Sequence, residues 1–326
     1  MSRPLCPLVF EPVYKNYIWG GDWIIRKYGR SAPPGIYAES WEVSDREDGM
    51  SVVRGGPMAG VSLCDAIGEW GVGLLGSRAG GLRFPLLIKL IDSRERLSVQ
   101  VHPDDASAAR HGGEAKTEMW YVLDAAPGAG VFAGLKPGVD ASAFRRAMEE
   151  KRFREILTRV PVKAGDAIFI PGGLVHAIDA GCLLLEVQQN SNTTYRIYDW
   201  DRVGPDGQPR PLHIAEAMKV IRWDLGDAAR VAPKDLPAAG GNARALVVES
   251  PYFRVEKFAL SRPQDVSGDG GSFQVLFVIS GAARIAWDGL SEALPAGTSC
   301  LVPASLRGVK LESAAPGAEM ARITLP

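Results

Sequence analysis

The chain has 326 residues, with 37 Lys and Arg against 38 Asp and Glu, a formal net charge of −1. No global field draws it toward nucleic acid or an anionic membrane, so any anion must be recognised by a local cluster. No apolar run approaches the ~18 residues of a membrane span. Residues Met1 to Phe10 carry two prolines and no basic-then-apolar signal pattern. Cys6, Cys64, Cys182 and Cys300 are scattered without CxxC spacing, as free thiols in a reducing compartment would be. A soluble, cytoplasmic protein of two domains is expected.

Glycine (37) and proline (23) punctuate short β-branched and aromatic runs, the pattern of a sandwich or jelly roll rather than alternating β and α units. Trp19, in Tyr17-Ile18-Trp19-Gly20-Gly21, and Trp41, in Glu39-Ser40-Trp41-Glu42, are candidates to line a sugar site. Ser62 is placed to cap a helix from Leu63 to Leu75, with Ile67, Trp70 and Leu74 as its buried stripe. Strands follow from Leu86 to Ile91, and in the run Leu97-Ser98-Val99-Gln100-Val101-His102-Pro103-Asp104-Asp105. After Trp120 to Leu123, apolar spacing at Phe144, Met148, Phe153 and Leu157 predicts a helix from Asp140 to Val160, stopped by Pro161. Ala167 to Ile170 and Leu183 to Val187 read as strands, and Ile214, Ala217, Met218 and Ile221 predict an amphipathic helix over His213 to Trp223.

The stretch from Gly226 to Arg244 is rich in Ala, Gly and Pro and reads as a linker. The expected division is a metal-binding domain over 1–230, a linker over 231–244 and a second barrel over 245–326. The second half repeats the first in part: Ala164-Gly165-Asp166-Ala167-Ile168-Phe169-Ile170-Pro171 aligns with Ala296-Gly297-Thr298-Ser299-Cys300-Leu301-Val302-Pro303. Upstream of each copy sits a comparable strand, Glu118 to Leu123 and Gln274 to Ile279. Matching those strands puts Glu118 on Gln274, and the first alignment puts His176 on Gly308, so the second copy keeps the turn chemistry without the ligands.

Four residues point to a metal. Gln100 and His102 are two apart on one strand, so their side chains leave the same face. Glu118, in Lys116-Thr117-Glu118, and His176, after Pro171-Gly172-Gly173-Leu174-Val175, sit at the edges of other strands. Two imidazoles, a carboxylate and an amide spread over three strands are what a divalent ion takes from a barrel wall; Zn²⁺ leads, and Mn²⁺, Fe²⁺ or Co²⁺ fit the same donors. A lone buried His is usually only hydrogen-bonded in a core; it is the set that carries the reading. His111 and His213 lie in polar helix-end contexts and are assigned no such role.

A second cluster surrounds Arg196. The run Gln188-Gln189-Asn190-Ser191-Asn192-Thr193-Thr194-Tyr195-Arg196 interrupts apolar strands with polar groups, and Arg196 suits a two-pronged grip on an oxyanion, or an ion pair with Asp199 or Asp201. Lys116, two residues from Glu118, projects to the same face as a candidate proton carrier or anion contact. Lys89 is a charge inside an apolar strand and needs a partner or a ligand phosphate. No Walker, Rossmann or Gly-x-Ser-x-Gly motif is present.

These segments resemble the type I mannose-6-phosphate isomerases, in the short bacterial form. The resemblance rests on Tyr17-Ile18-Trp19-Gly20-Gly21, Phe84-Pro85-Leu86-Leu87-Ile88-Lys89, Gln100-Val101-His102-Pro103, Lys116-Thr117-Glu118, Pro171-Gly172-Gly173-Leu174-Val175-His176 and Asn192-Thr193-Thr194-Tyr195-Arg196. It runs from Phe10 to Trp223 and returns weakly at Tyr252 to Lys257. Ala115, where glycine is common, and the acidic stretch from Asp45 to Gly49 depart from the pattern. The resemblance implies two cupin jelly rolls with a few helices packed on the first, and one zinc on Gln100, His102, Glu118 and His176. It also implies a catalytic Arg196 and interconversion of mannose 6-phosphate with fructose 6-phosphate through an enediolate. Lys116, Glu186 and a zinc-bound hydroxide stay open as the base; Lys89, Trp19 and Glu186 are candidate substrate contacts. The partner is a small sugar phosphate, neither nucleic acid nor membrane, and the protein is a monomer or small homo-oligomer. The alternatives are a cupin that senses a sugar phosphate without turnover, an isomerase for another phosphorylated aldose, and an Fe²⁺ cupin dioxygenase.

Overall fold

The computed structural model describes residues 3–226, 230–314 and 317–326. The chain divides into two compact units, one of residues 14–39 and 90–231, the other of 1–13, 40–89 and 232–326. Antiparallel strands dominate both.

In the unit formed mainly by residues 90–231, two sheets face each other. One carries Arg230–Val231, Ala167–Ile170, Glu118–Ala125 and Cys182–Gln189 as successive neighbours; the other runs Tyr195–Tyr198, Val99–Val101, His176–Ile178, Gly130–Leu135 and Leu157–Pro161. Alternation decides what goes where. Val131, Ala133 and Ile178 point inward and meet Trp120, Val122, Ile168 and Leu184 from the opposite sheet. The intervening Val99, Val101, Phe132, Ala177 and Ile197 point outward and are covered by helices, through Phe144, Ala147, Phe153, Ile156, Ala217 and Val220. Phe144 meets Phe153 edge-on at 5.7 Å, and burying each ring contributes roughly 1.5–3 kcal/mol. The residues left on the inner face at the barrel's end, Gln100, His176 and Arg196, are polar.

The other unit has an eight-stranded sheet and a four-stranded one. The first runs Lys234–Ala239, Asn242–Glu249, Arg254–Leu260, Ala318–Thr324, Gln274–Ser280, Ser299–Val302, Leu8–Glu11 and Val52–Val53; the second runs Gln264–Asp265, Lys310–Ser313, Ala282–Trp287 and Leu290–Pro295. The sequence repeat is a repeat of register. Ile170 pairs with Glu118 in one barrel, and Val302 pairs with Gln274 in the other. Where the first barrel has Glu118, the second has an amide whose Nε2 donates to the Val266 carbonyl at 2.8 Å.

Several expectations need correction. The stretch assigned as linker, 231–244, forms the strand Lys234–Ala239 and the start of its hairpin partner Asn242–Glu249; residues 227–229 of the wider Gly226 to Arg244 reading lie outside the described residues. Residues 1–13 and 40–89 fall in the same unit as 232–326, because Leu8 pairs with Leu301 across most of the chain, a register no local pattern reveals. The helix expected from Leu63 to Leu75 breaks at Gly71 (φ 51°, ψ −124°) into Leu63–Trp70 and Val72–Leu75. The helix expected from Asp140 to Val160 ends at Glu149, resumes over Phe153–Ile156, and then becomes the strand Leu157–Pro161. Lys151 turns to φ 55° between the two helices, and Leu157 belongs to a strand paired with Gly130–Leu135 rather than to a helical stripe. Helices at Trp23–Tyr28 and Asp105–His111 were not foreseen, although Asp104 and Ser107 form a capping box on the second.

Candidate metal centre

The strand ladder brings the candidate ligands together. His176 stands directly opposite Gln100, and Gln100 directly opposite Arg196, so all three share one face of one sheet. Glu118 opens its strand on the facing sheet, between Ile170 and Gln188. One ligand atom from each of His102, Glu118 and His176 lies within 4.8 Å of the others, and all three residues are buried. The two imidazole Nε2 atoms are each 3.5 Å from a different oxygen of Glu118. Gln100 Nε2 reaches His176 Nε2 at 3.3 Å; turning the amide over would offer its oxygen at the same place.

Backbone carbonyls orient both rings. His102 Nδ1 lies 2.9 Å from the Thr193 carbonyl and His176 Nδ1 lies 2.9 Å from that of Leu174. A carbonyl only accepts, so each Nδ1 carries the proton and each Nε2 turns a lone pair toward Glu118. Desolvation inside the barrel lowers the His176 pKa to about 4, which keeps that ring neutral.

The three loops that carry these groups are stitched together. Gly173 N donates to the His102 carbonyl at 2.7 Å, Lys116 N donates to the Pro103 carbonyl at 2.9 Å, and Gly172 N donates to Thr117 Oγ1 at 3.2 Å. Gly172 is needed for the approach: a Cβ there would stand 2.6 Å from Asp104 Cα. Thr117 N donates to Gln189 Oε1, which ties in the segment that presents Thr193.

Lys116 Nζ sits 2.7 Å from Glu118 Oε2 and 3.2 Å from His102 Nε2, so a cationic group stands where the donor atoms converge. Glu186 lies 3.8 Å from the same ammonium and accepts the Trp120 indole N–H at 2.8 Å. Arg196 Nη1 donates to the Pro211 carbonyl at 2.9 Å, and its buried Nε has no hydrogen-bond partner among the described residues. Burial first, then the neighbouring Arg210 guanidinium, lowers the Arg196 pKa from its ordinary range, against the pull of Asp199. Asp199 instead pairs with Arg202 and Arg210, each at 2.6 Å.

Trp19 is buried in the same apolar cluster as Trp120, whose ring meets His176 edge-on at 5.6 Å. Lys89 is buried on the strand Leu86–Ser93 and belongs to the other compact unit. Sequence reasoning missed Thr193, whose carbonyl orients His102, and Gln188, which is buried beside Glu118 in the ladder. Gln188 was within reach, since it shares strand parity with Glu186; a backbone carbonyl has no sequence signal. It also dismissed His213, whose Nδ1 accepts from Arg196 N.

The donor set fits a divalent ion. Two oriented imidazole nitrogens, one carboxylate and one amide are the mixed N/O donors that Zn²⁺ and its first-row neighbours accept. Fold and site together define a metal-centred cupin. Residues 8–128 match the family model for the catalytic domain of phosphomannose isomerase type I, and residues 243–323 match that for the cupin domain of mannose-6-phosphate isomerase. A mannose-6-phosphate isomerase of Streptococcus mutans is 35% identical over 92% of this chain and 93% of that protein. The isomerase ManA of Bacillus subtilis is 35% identical over 94% of this chain and 96% of its own. The crystal structure of a mannose 6-phosphate isomerase from Bacillus subtilis superposes with a TM-score of 0.87 at 30% identity, covering 99% of both chains. The chain belongs to the type I phosphomannose isomerase family. Among the described residues no helix is long and apolar enough to cross a membrane.

Proposed function

We propose that this protein interconverts mannose 6-phosphate and fructose 6-phosphate with one zinc ion held by His102, Glu118, His176 and Gln100. The observation that carries the reading is the pair of imidazoles locked by the Thr193 and Leu174 carbonyls, which aim both Nε2 lone pairs at one carboxylate. When bound, zinc supplies a fixed positive charge beside the substrate's oxygens.

The chemical difficulty is removing a weakly acidic proton from the carbon next to a carbonyl and returning it to the neighbouring carbon. That leaves an enediolate whose negative charge must be stabilised in a dry site. Arg196 serves that charge: it lies in the same row as Gln100 and His176, and its buried Nε is an available donor. Lys116 serves as the proton carrier. It is buried, it touches Glu118, and Glu186 stands within 3.8 Å to exchange or balance the proton. Glu186 is itself held by the Trp120 N–H, which fixes the carboxylate on this side of the barrel.

A coupled assay for fructose 6-phosphate formed from mannose 6-phosphate tests the reading, run on protein as purified, after chelation, and after zinc is restored. Turnover should vanish with chelation and return with zinc, at one metal per chain. Turnover that ignores metal removal would refute the mechanism; zinc-loaded protein that binds the sugar phosphate without turning it over would be a sensor.

A further inference from the structure

His213 belongs to a short segment that wraps the outer edge of the strand bearing Arg196. That strand, Tyr195–Tyr198, is the last in its sheet, so its outward peptide groups have no neighbouring strand to bond. The Arg196 peptide finds both partners in one residue: Arg196 N donates to His213 Nδ1 at 3.2 Å, and His213 N donates to the Arg196 carbonyl at 2.7 Å. His213 is also the N-cap of the helix Ile214–Val220, yet its side chain makes no capping bond there. A side chain at that position ordinarily accepts from the first turn of its own helix; this one spends its acceptor on Arg196. The same segment takes the other end of the arginine, through the Pro211 carbonyl on Nη1. It is closed on itself by Asp199, which grips Arg210 and Arg202. An accepting Nδ1 leaves the ring's proton on Nε2, so the imidazole acts in its neutral form.

We infer that His213 is a positioning residue for Arg196: its imidazole and backbone hold the Arg196 peptide while the Pro211 carbonyl sets the guanidinium, fixing how that group faces the reacting sugar. The inference rests on the proposed role of Arg196 in the isomerisation. His213 touches neither the metal ligands nor the interior of the barrel through any hydrogen bond described above, and it acts only through Arg196. Positioning errors of this kind lower rate more than binding, because the misplaced donor is needed most when charge develops.

Three variants of the zinc-loaded enzyme test it. His213→Leu keeps the bulk and the backbone bond but removes the acceptor. His213→Asn puts Oδ1 on the same carbon that carried Nδ1 and so restores it. Arg196→Ala supplies the background. His213→Leu should lower kcat about tenfold, the scale of one hydrogen bond, with KM within about twofold. Metal content should stay at the wild-type value, and the melting temperature should fall by no more than about 2–6 °C, the scale of one lost hydrogen bond. His213→Asn should recover kcat to within about threefold, and in the Arg196→Ala background His213→Leu should change kcat by less than about twofold. Wild-type kcat in His213→Leu, an Asn variant as slow as the Leu variant, or an undiminished Leu effect without Arg196 would each overturn the inference. If Arg196→Ala itself keeps full kcat, the role given to Arg196 falls and takes this one with it, which separates the two failures.

Discussion

Replacing Glu118 by Gln removes one charge and no volume, and the surroundings of that charge set the outcome. The Glu118 side chain is 1% exposed and the Lys116 side chain 6%, and their charged atoms are 2.7 Å apart. Deleting one partner of such a buried pair costs about 3–5 kcal/mol, because the survivor keeps its desolvation penalty. Glu186, at 3.8 Å from the ammonium, remains as a second carboxylate, which places the expected loss near the lower end, ~3 kcal/mol. In a unit of this size each kcal/mol moves the midpoint by about 2–4 °C, so chelator-treated Glu118→Gln should melt ~6–12 °C below chelator-treated wild type. The second effect is on the metal. In the proposed ligand set Glu118 is the carboxylate, and its loss while Lys116 stays should lower affinity by more than the ~10–100-fold typical of a lost supporting contact. Thermal melts followed by circular dichroism and metal analysis after dialysis read the two effects separately. A midpoint within about 1 °C of wild type, together with equal metal occupancy, would refute both the buried-pair argument and the place of Glu118 among the ligands.

The other predictions use the same geometry. Arg196→Ala should retain its metal and its fold while losing rate, by roughly 10²-fold or more if one charge-stabilising donor is gone; loss of zinc in that variant would count against the division of roles. Metal-stripped protein should weaken on acidification. Burial holds the His176 pKa at about 4, against an ordinary 6.5, so between those values the unfolded chain binds a proton that the folded one does not. Stability is therefore present above that window and falls by about 3 kcal/mol as pH drops through it; urea midpoints that stay flat from pH 7 to 4.5 would contradict this. Gly172→Ala should destabilise by about 1–3 kcal/mol, since its Cβ meets Asp104 Cα at 2.6 Å, and it should also weaken metal binding by shifting the loop that follows His102. Unchanged stability would show that this loop yields more easily than its packing implies.

Much of the site was legible because it is written in local periods. Gln100 and His102 share a face by strand alternation, and the structure shows that face closed by His176 on one side and Arg196 on the other. The internal repeat was legible for a similar reason. Turn residues and strand length recur together, and Ile170 opposite Glu118 reappears as Val302 opposite Gln274. Local reading failed where periodicity was ambiguous. Leu157 fits a helical stripe by spacing, yet it pairs as a strand with Gly130–Leu135.

Residue type, turn chemistry and side-chain alternation are short-range properties, so the amino-acid order by itself indicated the class of fold and which side chains are chemically able to hold a metal, while the family came from the resemblance of its motifs. Only the folded chain decided what supports those side chains. The carbonyls of Thr193 and Leu174 that set the tautomers, the His213 imidazole on the Arg196 peptide, and the pairing of Leu8 with Leu301 join groups brought together by strand register. Register is a cooperative outcome of burying one face of every strand at once, and no window of sequence contains it.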